Sequence, residues 1–153
     1  MNVYIQVTRH VAEWCRHEYA VGNNAVRFPR GSAENDILEL TLQKQPENAM
    51  PIIPQETPET LAIEIPNFKS KPPMFYNHLT KAAENMLAHT IYVRFRMTVW
   101  KELHTFDKLN LPIADSVWDF MERHGIDLNE QAHEAIRQMY FRQRKKYREN
   151  DTN

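Results

Sequence analysis

The chain opens on a two-residue alternation. Val3, Ile5 and Val7 are separated by Tyr4 and Gln6, which is the period of a short β-strand. The rhythm changes after Thr8. Val11, Trp14 and Cys15 fall at helical spacing, with Glu18 and Tyr19 extending the stripe, and Thr8 is placed to cap that helix. Gly22-Asn23-Asn24 ends it by turn chemistry, and residues 25–28 form a second short strand stopped by Pro29. Ser32 caps a second helix. Glu34 and Asp36 stand in its first turn, where the helix dipole favours them, and Ala33, Ile37, Leu40 and Thr41 make its apolar stripe. The pattern then dissolves over residues 46–60, where Pro46, Pro51, Pro54 and Pro58 exclude a helix or central strand and predict a loop or linker. Leu61, Ile63 and Ile65 alternate with Ala62 and Glu64 as a third strand, closed by Pro66 and Pro72-Pro73.

From Asn77 to Pro112 there is no Gly and no intervening Pro. Leu79, Ala83, Met86, Thr90, Val93, Met97 and Trp100 lie at helical spacing, which predicts one long helix to about His104. A rival pattern overlaps it: Ile91, Val93, Phe95, Met97 and Val99 also alternate with polar neighbours, as a strand across residues 90–100 would. The absence of any breaker favours the helix. Pro112 starts the next helix, with Ile113, Val117, Phe120 and Met121 inward. Gly125 is its C′ residue and Ile126 the apolar contact that follows a Schellman ending. Asp127, with Glu130 three residues later, forms a capping-box variant for the last helix, whose stripe is Leu128, Ala132, Ala135/Ile136 and Met139. Helix, Gly-Ile-Asp, helix makes a tight αα corner.

These elements predict an α-rich α+β fold: a small N-terminal sheet with helices, then a helical C-terminal half ending in the αα corner. Residues 1–45 form a small α/β unit, 46–60 the proline-rich loop or linker, and 61–153 a strand plus a mainly helical region, together one compact domain. The first, third and second strands share a small sheet on which the helices pack.

At 153 residues, with 42% hydrophobic and 25% charged positions, the chain has material for one core, and wholesale disorder is excluded. A net charge of −1 conceals opposed ends. Residues 31–64 carry Glu34, Asp36, Glu39, Glu47, Glu56, Glu59 and Glu64 against Lys44 alone. Residues 137–148 carry Arg137, Arg142, Arg144, Lys145, Lys146 and Arg148 and no acid. The single cysteine, Cys15, excludes an internal disulfide and fits a reducing compartment. Residues 1–12 hold no signal-like apolar run, and no stretch is long and apolar enough to span a bilayer, so the sequence predicts a cytoplasmic protein with no membrane contact.

The basic stretch is the most informative chemistry. Arg137, Arg144 and Arg148 fall near one helix face, as do Gln138, Arg142 and Lys145. Tyr140 and Tyr147, seven apart, share a side. Six cations can neutralise phosphates, and tyrosines can pack on bases. The same pattern suits a basic helix that meets an acidic protein surface, or a solvated C-terminal helix whose cations favour its own carbonyl end. Arg94 and Arg96, two apart, do not extend one basic face. The αα corner invites a helix-turn-helix reading. With Gly125 as the turn glycine, however, Met121 occupies a position that must be small, and Gln131 and Glu134 occupy core positions. Plain helical packing accounts for the corner, and a variant with a longer second helix stays open.

No catalytic constellation is present. Gly22, Gly31 and Gly125 are too few and too scattered for a phosphate-cradling loop, and one cysteine rules out Cys-based zinc sites. His133-Glu134 lacks the second histidine of a metalloprotease helix. His10, Glu13 and His17 share a helix face, and so do Asp36 and Glu39; both sets read as solvated polar residues rather than metal ligands. Lys69 to Tyr76 resembles a docking segment, but a loop packing Phe75 and Tyr76 on the core is the preferred reading. The sequence therefore predicts a non-enzymatic nucleic-acid-associated protein, with no cofactor and no metal. It contacts the phosphate backbone through Arg137, Arg142, Arg144, Lys145, Lys146 and Arg148, with Tyr140 and Tyr147. The alternative is a protein–protein adaptor or homo-oligomer using that helix on an acidic surface.

Overall fold

The computed structural model describes residues 1–47 and 54–151. It is 55% helical with 14% strand, an α-rich α+β fold. The chain divides into two compact units, Met1–Tyr92 and Val93–Asn153. That division falls inside a helix. It does not fall at the proline-rich segment, because the strand beyond that segment pairs with the first strand of the chain. Residues 48–53 of the segment lie outside the described residues.

In the first unit, β1 (Asn2–Gln6) leads to α1 (Arg9–Glu18), and β2 (Ala20–Gly22) and β3 (Ala25–Val26) follow as a hairpin. After α2 (Ala33–Thr41) come β4 (Gln43–Lys44), β5 (Thr60–Glu64) and β6 (Tyr76–His78). The four-stranded sheet has the order β1-β5-β3-β2. β5 runs antiparallel to β1 and parallel to β3, so the sheet is mixed. Val3 faces Ile63 and Ile5 faces Leu61 across β1 and β5, and all four side chains are buried. This is the buried half of the alternation seen in the sequence; burial of each such side chain contributes about 1.5–3 kcal/mol. α1 adds Val11, Ala12, Trp14 and Cys15 to the core, and Trp14, Tyr19 and Phe28 form a chain of ring contacts at 5.8 and 4.9 Å.

Several expectations need correction here. Thr8 precedes α1 but its hydroxyl makes no capping bond. Gly22, Asn23 and Asn24 all have positive φ and form the β2–β3 turn, whereas α1 has already ended at Glu18. Ser32 does cap α2, accepting from the Asn35 N–H at 3.3 Å, but the stripe is rotated. Asn35 turns inward because its amide donates to the carbonyls of Phe28 (3.0 Å) and Pro29 (3.2 Å). Leu38 and Leu42 follow it into the core and Leu40 is left 80% exposed. Strand β6 leaves Tyr76 beside Lys44 and Lys71, and Phe75 points out rather than packing on the core.

α3 (Lys81–Lys108) begins in the first unit and ends in the second. Residues 90–100 are helical throughout. The helix carries two apolar stripes. Leu87, Ile91, Phe95, Val99 and Leu103, four apart, are buried, while Met86 and Met97 of the expected stripe are exposed. The strand-like alternation of residues 91–99 is these two stripes overlaid. Thr80 starts the helix, its hydroxyl accepting from the Ala83 N–H at 3.2 Å.

The second unit adds α4 (Ile113–Arg123) and α5 (Glu130–Asp151). α4 buries Val117, Phe120 and Met121, and Phe120 meets Phe95 edge-on at 6.1 Å. Its end is a Schellman turn. Gly125 sits at φ 69°, the Ile126 N–H reaches the Met121 carbonyl at 2.9 Å, and Ile126 is buried. The cap of α5 is Asn129 rather than Asp127, because the chain runs two residues further before the helix starts. Asn129 Oδ1 accepts from the Ala132 N–H at 2.8 Å. Leu128 consequently lies outside the stripe and is exposed.

Candidate nucleic-acid interface

α5 seats its inner face through Ala132, Ile136, Met139 and Tyr140, the last with no exposed surface. Tyr140 is therefore part of the core and not of any contact surface. Its ring stacks on Trp100 at 5.4 Å and its hydroxyl donates to Asp107 Oδ2 at 2.7 Å. The same oxygen receives Arg144 Nη1 at 3.3 Å. The Tyr140 bond, opposed by burial and aided by Arg144 and the more distant Arg148 charge, holds the Asp107 carboxyl below its ordinary range. Burial, with the bond to Asp107, raises the Tyr140 phenol. Nothing in the spacing of residues 107, 140 and 144 announces this junction, since it joins the end of one helix to the middle of another.

The six cations divide by partner. Arg137 is bound twice by Glu134, both contacts at 2.9 Å, and this pairing drops the Glu134 carboxyl to about 2. Arg144 is held by Asp107. Arg142 meets only the neutral Gln138, at 3.3 Å. Among the described residues, Arg142, Lys145, Lys146 and Arg148 form no ion pair, and Arg142, Lys145, Lys146 and Arg148 are all exposed. Two guanidinium groups approach the Phe141 ring, Arg144 at 4.5 Å and Arg137 at 5.3 Å. Tyr147, 43% exposed, rests on Trp100 at 5.3 Å and on His104 at 5.0 Å. Burial, then the nearby Lys108 charge, lowers the His104 imidazole against an opposing pull from Asp107. An open hollow of about 400 Å³ is lined by Phe141, Arg144, Lys145, Arg148 and Glu149.

The acidic counterpart is smaller than the sequence implies. Glu34 is fully buried and Glu64 pairs with Arg27. The weaker metal candidates stay apart from any shared centre: His10 is buried in α1, Glu13 pairs with Arg9 at 3.8 Å, and His17 lies against Glu18. Among the described residues no group of three or more His, Cys, Asp or Glu side chains is placed to hold a metal ion. A second hollow, of about 510 Å³ in the first unit, is lined mainly by neutral side chains with Glu59 and His89. Among the described residues no helix is long and apolar enough to cross a membrane. In comparisons with known proteins, no family model matches the chain, and neither a curated protein nor a solved structure matches it.

Proposed function

We propose that this is a non-enzymatic, cytoplasmic nucleic-acid-associated protein whose α5 contacts the phosphate backbone. One observation carries the reading: among the described residues Arg142, Lys145, Lys146 and Arg148 are exposed on α5 and form no ion pair, with only Arg148 close enough to Asp107 to act on its carboxyl, in a chain whose net charge is −1. Cations already paired inside a protein gain little from a phosphate, whereas unpaired ones release counterions when they meet one. Arg137 and Arg144 then act chiefly as fixed neighbours, one tied to Glu134 and the other to Asp107. Replacing Arg142, Lys145, Lys146 and Arg148 together with glutamine weakens oligonucleotide binding and flattens its salt dependence; unchanged binding would sink the reading.

A protein partner is the second reading, favoured by Met97, which is 65% exposed on α3 within the same unit. An exposed apolar side chain in the unit that carries the basic helix suits an acidic amphipathic partner. Sedimentation with and without salt, in the absence of nucleic acid, separates this reading from the first.

A further inference from the structure

The cations of α5 alternate with π-faces. The Arg144 guanidinium lies over the Phe141 ring at 4.5 Å, and its Nη1 is held by Asp107 Oδ2 at 3.3 Å. One turn further along, the exposed ring of Tyr147 is backed by Trp100 and His104, which stack on each other at 4.3 Å. Lys145 and Arg148 border the hollow beside the Arg144–Phe141 pair, against the one carboxylate of Glu149. Each planar group is thus held before any ligand arrives, which lowers the ordering cost of binding.

A duplex presents phosphates to such a helix but keeps its base faces stacked inside. A single strand presents both. Resting on the reading of α5 as a nucleic-acid contact, we propose that this surface takes single-stranded rather than duplex nucleic acid. One base stacks on the Arg144–Phe141 pair in the hollow and a neighbouring base on Tyr147, while Lys145 and Arg148 meet the intervening phosphates. Stacking on aromatic and guanidinium planes tolerates any base, so sequence preference is weak.

The test is fluorescence anisotropy with a labelled oligothymidylate and with a labelled duplex of equal length, at matched salt. It uses the full chain and two variants, Phe141→Leu and Tyr147→Leu, which keep apolar bulk but remove a ring; circular dichroism checks their folding. The single strand binds at least about tenfold tighter than the duplex. Each variant weakens single-strand binding by about fivefold or more while leaving duplex binding and the salt slope unchanged. Tyr147→Leu, at an exposed position, decides the matter if Phe141→Leu disturbs folding. Equal affinity for both oligonucleotides, or full single-strand affinity in Tyr147→Leu, overturns the stacking proposal and leaves the phosphate reading standing. Binding of neither oligonucleotide at low salt overturns both.

Discussion

Replacing Tyr140 with phenylalanine removes one hydroxyl from a ring that has no exposed surface. That hydroxyl donates to Asp107 Oδ2 at 2.7 Å, and a hydrogen bond to a charged acceptor contributes about 1.5–3 kcal/mol. Two features reduce the loss. The Asp107 side chain keeps 26% of its surface, so water can take the vacated position, and Arg144 stays on the same oxygen. The expected destabilisation is about 1–2 kcal/mol, or a fall in Tm of about 3–6 °C for a chain of this size. Urea unfolding followed by tryptophan fluorescence reads it directly, because Trp100 stacks on the altered ring.

The pH dependence supplies an independent check. The Tyr140 bond is the largest cause of the lowered Asp107 pKa. A carboxylate whose folded pKa is depressed stabilises above its unfolded value of about 4, and the contribution fades as pH falls through the lowered folded value. The gap between wild type and Tyr140→Phe is therefore full at neutral pH and shrinks below about pH 4. A gap under about 0.3 kcal/mol at neutral pH, or one that persists undiminished into strong acid, would refute the assigned acceptor.

Other changes test the frame around α5. Gly125→Ala forces a side chain onto a residue at φ 69° and costs about 1 kcal/mol, seen as a lower thermal midpoint; equal stability would contradict the Schellman geometry. Asn129→Ala removes the helix cap and costs about 1 kcal/mol in urea unfolding; unchanged stability would contradict Asn129 as the cap. Burial lowers the pKa of His10, so the unfolded chain takes up its proton first, and stability declines as pH falls through about 6.5. In His10→Gln that part of the decline is lost, and an identical pH profile would show that His10 is not its source.

The strands were legible because a half-buried sheet imposes a strict alternation: Val3 and Ile5, then Leu61 and Ile63, are the buried partners themselves. Helix positions were legible wherever Gly or Pro set a boundary, as at Gly125. Helix phase was less so. α3 has apolar residues on two sides, and only the packing of Leu87, Ile91, Phe95, Val99 and Leu103 selects the buried stripe. In α2 the phase follows from the Asn35 amide reaching back to Phe28 and Pro29, a tertiary bond with no signature in hydrophobic spacing. The basic stretch was visible as composition, but its division was not. Which cations are spent internally depends on Asp107 and Glu134, and which tyrosine faces out depends on a difference of seven residues in a helix whose period is 3.6. Tyr140 and Tyr147 share a side, yet only the first lies deep enough to be covered.

The central claim is that α5 meets phosphates through Arg142, Lys145, Lys146 and Arg148. The most direct measurement is the salt dependence of oligonucleotide binding by the intact chain, taken as the slope of log affinity against log salt. Four contacts predict a slope of about −3 to −4, so that binding weakens steeply between low and near-physiological salt. A slope near zero, or no binding at low salt, would contradict the claim and leave the protein-partner reading in its place.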